Sequence, residues 1–343
     1  MSTIDNINGI YAKDTELRNG ISELRGDILS QTIKPLNITK NGTYTSDPSA
    51  GAYGYSPITV DVQEEPWQPL EDGYSNFWFE LTNDTLSPWL NFSAKTESAV
   101  IDWGDGSGEV ALDTLTPTHT YSKAGKYVVK VKGVTGIAAQ GYVPYTAYSD
   151  VLKAVEFNSD VTAIDTTAFN RTMKLENVAF SNTITTIGSI PFGYCASLNG
   201  KIVLPPLDTI PSNCFTTCLQ LKEIEVAEGT TTIMNNAFYY NVTLGKAKLP
   251  STLTSIGNVA FAYCLGMQEI HIVATTPPTL GTNVFFSLPT SFIIYVPVGY
   301  GETYKSAAGW SSYADHIVEE GSRLSVQQLR KIAEETDNGE EMR

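Results

Sequence analysis

LKEIEVAEGTTTIMNNAFYYN, residues 221–241, decides the architecture of this chain. Ile224 and Val226 alternate as a strand does, which puts both on one face. A turn follows, then a second short extended piece ending in Ile233. Asn236 to Tyr240 is expected to make a tight helical corner that drives Phe238 inward. One such unit is too small to bury its own apolar residues. It recurs, however. Stepping by 23 residues gives Leu152, Leu175, Leu198, Leu221, Leu244 and Met267 in one column. A second column reads Ile164, Ile187, Ile210, Ile233 and Ile256, and a third Phe169, Phe192, Phe215, Phe238 and Phe261. Three apolar columns in one register mean stacked coils, a solenoid in which each repeat buries its face against its neighbours. In KIVLPPLDTIPSNCF the alternation moves by one, so Ile202 and Leu204 face inward, and the next turn is a residue shorter. The period is kept, as stacking requires.

The chain has 343 residues, enough for a repeat array with attachments. Lys and Arg number 22 against 37 Asp and Glu, a net charge of −15. That balance disfavours nucleic acid and anionic membranes, both of which need a basic face. No apolar run reaches the roughly 20 residues of a membrane span. The first thirty residues hold no continuous apolar segment, so no cleavable signal peptide is expected.

All four cysteines lie in the repeat. Cys195, Cys218 and Cys264 share a column with Thr172 and Asn241. Cys214 stands in the column of Ala168, Pro191, Ala237 and Ala260, where a small residue is wanted. Buried free thiols are expected. A disulfide between Cys195 and Cys218 on adjacent coils is the alternative. No zinc-type spacing occurs.

Leu17, Ile21, Leu24 and Ile28 follow a coiled-coil spacing within residues 10–32, and Pro35 ends the run. So short a helix needs a partner surface. The partner is another copy, another protein or this chain's own body. LNITKNGTYTSDPSAGAYGYSPITVDV (36–62) reads as two short strands around a Gly/Ser/Pro-rich loop. Phe77, Phe79 and Leu81 alternate, as do Tyr127, Val129 and Val131. Between them stand IDWGDGSGEV and THTYSKAGKYVVKV. Gly104 and Gly106 permit a tight turn, and Asp105 can bond its own backbone. Asp102 and Asp105 are expected to form that turn rather than hold calcium. Trp103 and Tyr121 are candidate core aromatics. After Glu319 a capping box, Ser325 with Gln328, predicts a short helix near 326–335.

Three resemblances follow from these residues. Trp103, the turn Gly104-Asp105-Gly106-Ser107, His119-Thr120-Tyr121, Gly125 and Tyr127 resemble a PKD-type domain, which implies an immunoglobulin-like β-sandwich and a structural role for His119. A strand followed by T-x-I-G and A-F-x-x-C resembles the BspA-type leucine-rich repeat. Thr254 to Gly257 with Ala260, Phe261 and Cys264 carries it in full, and Thr185 to Gly188 with Phe192 and Cys195 carries it with Pro191 for Ala. ATTPPTL and FIIYVPVGYGETYKSAAGWSSYADHI resemble the terminal cap of such arrays, with Ile293–Val296 as last strand and Tyr304 and Trp310 sealing the end. Residues 36–62 resemble a segment of phage structural proteins. The expected fold is therefore mainly β. Its parts are an N-terminal helix (1–34), a β attachment segment (35–65), a PKD-like domain (66–134), a solenoid with caps (135–318) and a polar tail with a short helix (319–343).

No candidate active site emerges. His119, His271 and His316 lack a nucleophile elbow nearby. No carboxylate pair is singled out by spacing, and GAYGY and GDGSG lack the lysine of a phosphate loop. No enzyme activity, cofactor or metal is expected. A binding surface is better supported. Tyr194, Tyr240 and Tyr263 share a column with Arg171 and Thr217, and Glu225, Lys248 and His271 form an outward column on the strands. The tyrosines either stack on sugar rings or a protein partner, or lie flat on neighbouring corners and only complete the packing. The resemblances and the lack of an export signal imply a virion fibre, spike or decoration protein, assembled in the host cytoplasm. It would attach to other virion proteins through residues 1–65 and present the solenoid to a host surface protein or glycan. The alternative is a bacterial cell-surface adhesin or protein-interaction module. Neither reading involves nucleic acid or membrane insertion.

Overall fold

A computed structural model of the chain describes residues 42–45, 59–62, 70, 72–82, 87–88, 90–139 and 151–322. The expected N-terminal helix with Leu17, Ile21, Leu24 and Ile28, most of the lead-in to the first coil, and the tail helix lie outside the described residues. The chain divides into two units, Met1–Trp67 and Gln68–Arg343. In the first, Gly42–Thr45 pairs antiparallel with Thr59–Val62, with Thr45 opposite Thr59. This is the two-strand segment expected from its β-prone residues and intervening loop.

The second unit opens with four antiparallel strands. Ser75–Leu81 lies along Gly125–Ile137, with Phe77 opposite Val129 and Ser75 opposite Val131. Phe92–Asp102 covers the other edge of Gly125–Ile137 and carries Glu109–Ala111. The alternation of Phe77, Phe79, Leu81, Val129 and Val131 serves one core, and all five are buried. Trp103 and Tyr121 are buried as well, and the Tyr121 hydroxyl donates to the Trp103 carbonyl at 2.6 Å. Asp102 and Asp105 accept the backbone N–H groups of Gly104 and Ser107, as turn-forming carboxylates do.

This sheet does not stop where the repeats start. Ser75–Leu81 pairs on its free edge with Leu152–Glu156, the first repeat strand, in antiparallel sense. The end of Gly125–Ile137 pairs in parallel with Ala163–Ile164, the second strand of the same coil. Both strands of the first coil are thus covered by the antiparallel module, which supplies the cap an open solenoid end requires.

The coils run 152–174, 175–197, 198–220, 221–243, 244–266 and 267–290. Each contributes a strand to a parallel sheet, a two-residue strand to a second sheet, and a corner. Glu223 pairs with Lys246 and Lys246 with Glu269, one period apart each time. Ile233 pairs with Ile256 in the second sheet. The phenylalanine column becomes a continuous stack. Ring centroids of Phe169, Phe192, Phe215, Phe238 and Phe261 follow one another at 5.2, 5.2, 5.9 and 5.1 Å, near parallel and with no solvent exposure. The glycine of T-x-I-G sits where coils approach most closely. A Cβ on Gly188 would lie 2.3 Å from the backbone nitrogen of Thr166, and one on Gly257 2.7 Å from that of Asn235.

Three expectations need correction. The corner is not helical. Asn236 and Tyr240 take left-handed φ values of 57° and 60°, and the same two positions are left-handed in every coil. Such backbone costs a non-glycine residue roughly 1–2 kcal/mol. The cost is offset by hydrogen bonds that run to the next coil, from Asn236, Phe238 and Tyr240 to the carbonyls of Asn258, Ala260 and Ala262 at 2.9–3.0 Å. A helix would turn those N–H groups inward and forfeit the stack. Second, ATTPPTL is not a cap but part of a sixth coil, one residue longer than the others. Ile256 pairs with Leu280, and Phe285 continues the ring stack at 6.1 Å from Phe261. Third, Ile293–Val296 is not the last strand. Helix α1 (Gly301–Ser306) and a 3-10 turn at Ser311–His316 bring the chain back, and Ile317–Glu319 pairs in parallel beyond it because Ile317 and Val318 still have core to bury. The seal itself is as expected. Tyr304 and Trp310 are fully buried and donate to the carbonyls of Ala274 and Pro278, each at 2.7 Å.

The shifted register of the third coil is also present. Gly200 takes a φ of 70°, and a bulge between Gly200 and Lys201 brings Ile202 opposite Ile224. Both parallel sheets are interrupted here, between the second and third coils. Pro211 has no N–H for the bond that Met234 makes to Ile210 one coil later. The corner ladder bridges the seam, through Ile190, Phe192 and Tyr194 to Ser212, Cys214 and Thr216.

Candidate interaction surfaces

The cysteine column is structural. All four thiols are free and buried. Cys195, Cys218 and Cys264 each donate to the carbonyl of the phenylalanine one coil back, Phe169, Phe192 and Phe238, at 3.1–3.2 Å. In the fourth coil, where asparagine stands in place of cysteine, Asn241 Nδ2 makes the same bond to Phe215 at 2.9 Å. In coils two to five the column thus holds a small donor, not merely a small side chain. Burial pushes all four thiols up, Cys218 and Cys264 to about 12. His119 belongs to the antiparallel module. It stacks on Trp103 at 4.8 Å and meets Asp105 at 2.8 Å. Among the described residues no cluster of three or more His, Cys, Asp or Glu could hold a metal ion.

The six sequence candidates fall on two separate strips. Glu225, Lys248 and His271 stand on the outer face of the parallel sheet, where alternation places them. Stacking at one period sets opposite charges side by side. Glu225 lies 2.7 Å from Lys201 and 2.6 Å from Lys248. Those two ammonium groups, Lys201 first, hold its carboxyl down at about 2. Lys246 meets Glu269 at 3.1 Å, and His271 lies between Glu269 (3.0 Å) and Glu320 (2.7 Å) while stacked on Tyr295. This strip satisfies its own charges. Across the shifted register Val203 stands opposite Glu225 and Lys201 opposite Glu223, so the strip continues into the third coil.

The tyrosines stand on the corner strip. Tyr194 and Tyr240 are each 41% exposed, and Tyr263 is half-buried. They do not form one ladder. Tyr194 lies under the Arg171 guanidinium at 5.3 Å, with Thr217 separating it from the next ring. Tyr240 and Tyr263 are 6.0 Å apart and belong to a larger group. Tyr239 approaches Tyr263 edge-on at 5.5 Å, and Phe286, 48% exposed, does so at 5.4 Å. Leu265 is exposed on the same corners. Tyr239, Phe286 and Leu265 are not in the tyrosine column, but a second signal marks them. Residues 177–200, 229–245, 249–268 and 272–301 contain no Asp, Glu, Lys or Arg in a chain that is 17% charged. The corners fall inside those runs.

Residues 143–268 match the family model of the BspA type leucine rich repeat region, in six copies. The BspA-type match spans the coils that carry the phenylalanine stack and most of the aromatic group. No curated protein matches the sequence significantly. Several solved structures overlap it in part, three of them as follows. A leucine-rich repeat protein from Eubacterium ventriosum is 23% identical over 38% of this chain and 36% of its own, with a TM-score of 0.34. A leucine rich cell surface protein from Faecalibacterium prausnitzii is 18% identical over 63% of this chain and 57% of its own, with a TM-score of 0.35. The pneumococcal vaccine antigen PcpA is 17% identical over 49% of this chain and 68% of its own, with a TM-score of 0.22. The overlap thus spans well under two thirds of the first two relatives. The PKD-type and virion-segment resemblances have no counterpart among these findings. Among the described residues no helix is long and apolar enough to cross a membrane.

Proposed function

We propose that this chain is a surface-displayed adhesion or protein-interaction protein that works through its BspA-type solenoid. The observation that carries the reading is the six-copy match over 143–268, together with an array that buries its repeat columns and leaves long faces open. Of those faces the corner strip has groups to offer, because its exposed rings have no charge to satisfy. The sheet strip has already paired its carboxylates with its own lysines, and surface pairs of this kind contribute about 0–1 kcal/mol each. The virion reading rests on residues 1–65, of which only one strand pair is described, and the family match adds nothing to it. The cell-surface adhesin, the alternative at the level of sequence, fits better. Adhesion of the purified full chain to surfaces coated with host extracellular glycoproteins tests the proposal. Retention that free chain competes away is expected, and no retention on any coated surface would refute it.

A further inference from the structure

We infer that the aromatic corner of coils four to six binds an uncharged glycan chain. This rests on the adhesion reading and names the chemistry of its ligand. The corner offers two kinds of group. One is the ring cluster of Tyr239, Tyr240, Tyr263 and Phe286, whose exposed faces can cover the C–H face of a pyranose. The other is a row of amides held in fixed orientation. Asn235 Oδ1 accepts the Asn258 N–H at 2.8 Å, and Asn258 Oδ1 accepts the Thr282 N–H at 2.7 Å. With each oxygen tied to the next coil, the Nδ2 groups of these exposed asparagines point outward as preorganised donors for hydroxyl oxygens. Rings recur in all three coils, Tyr240 to Tyr263 at 6.0 Å and Tyr263 to Phe286 at 5.4 Å, and the amides in coils four and five, with Thr282 in their place in the sixth. Those steps are comparable to one sugar residue, so successive units of a polymer would meet successive coils.

Charge selects against the other occupants. The strip carries no Asp, Glu, Lys or Arg from 229 to 245, 249 to 268 or 272 to 301, while the chain as a whole is −15. Such a face has nothing to pair with an acidic or basic partner, and the surrounding negative charge repels sialylated or sulfated polymers. Tyrosines serve protein interfaces too, but an interface of standard size wants a contiguous, water-excluding apolar core around its anchors. Here the amides of Asn235 and Asn258 share the strip with the rings.

The test uses the full chain in native gels containing yeast mannan, starch, xyloglucan or β-1,3-glucan, and on wells coated with desialylated mucin before and after chemical deglycosylation. Tyr240 and Tyr263 are changed to Asn, which tolerates the left-handed backbone these positions take and so preserves the corner. Leu265→Glu places a charge on the strip as a second variant, and Glu223→Gln on the sheet is the control. Retardation by at least one neutral polysaccharide is expected, with little change up to about 0.5 M salt. The tyrosine pair and Leu265→Glu should each weaken it about tenfold, and Glu223→Gln should not. If mucin adhesion survives deglycosylation and no polysaccharide retards the chain, the glycan inference is wrong while adhesion stands. A dimer that Leu265→Glu dissociates makes the strip a self-interface and also overturns the inference. No adhesion to either form of mucin, and no retardation, overturns both readings.

Discussion

The ring of Phe238 lies against that of Phe261 at 5.1 Å and 16°, one coil apart, and neither is exposed to solvent. Phe238 also stacks on Phe215, so its truncation opens a gap with rings on both sides. Phe238→Ala should cost about 3–5 kcal/mol. Denaturant or thermal unfolding measures this, and a variant that melts like the parent would mean the column is not the core.

Asn241 replaces cysteine in its column and makes more bonds than a thiol can. Its Oδ1 accepts the Cys218 N–H at 2.7 Å, and its Nδ2 reaches the carbonyls of Phe215 and Phe238 at 2.9 and 3.0 Å. Asn241→Ala strands buried backbone groups at about 1–3 kcal/mol each. Asn241→Cys restores one donor. Unfolding should rank the parent above Asn241→Cys, and that above Asn241→Ala. Equal stability of the two variants would remove the donor role from the column.

The buried thiols should resist chemistry. Iodoacetamide at neutral pH should leave Cys195, Cys214, Cys218 and Cys264 unlabelled in the native chain and modify all four in denaturant, since burial disfavours the reactive thiolate. Mass spectrometry reads the result directly. Rapid native labelling at any of the four would show that coil open.

Acid should loosen the sheet strip. The carboxyl of Glu225 titrates at about 2 in the folded chain against an ordinary 4.5. A lowered folded value means its stabilisation is complete above the ordinary value and is lost as pH falls from there through about 2. The pair is partly solvated, so the effect is under about 1 kcal/mol. Stability measured from neutral pH to pH 2 should fall less steeply for Glu225→Gln than for the parent. Parallel curves would contradict the pairing with Lys201 and Lys248.

The coil interior was legible because stacking imposes one residue type per position. Leu, Ile and Phe recur at 23, and the shifted alternation of Ile202 and Leu204 was readable, though not the bulge at Gly200 that produces it. Features set by contacts between coils were harder to read. Local pattern favours a helix for NNAFYYN, and only the hydrogen bonds to the following coil make left-handed residues at Asn236 and Tyr240 worth their strain. The sixth coil was obscured by a single extra residue, which moves Leu280 and Phe285 out of the 23-residue columns. Residues 75–81 carry no mark that they would pair with Leu152–Glu156, because an antiparallel partner reads like any half-buried strand. On the surface, Tyr240 and Tyr263 were found by column. Tyr239 and Phe286 lie outside that column, marked in the sequence only by the uncharged runs and brought to it by the corner's geometry, and Glu225 and Lys248 proved to be each other's partners.

The choice between the two strips is settled most directly by adhesion of two variants side by side on the same glycoprotein-coated surface. One carries Tyr240→Asn with Tyr263→Asn, and the other Glu225→Gln with Lys248→Met. Loss of retention in the tyrosine variant, with the sheet variant held like the parent, is the expected result. Retention lost in the sheet variant and kept in the tyrosine variant would contradict the assignment of binding to the corner.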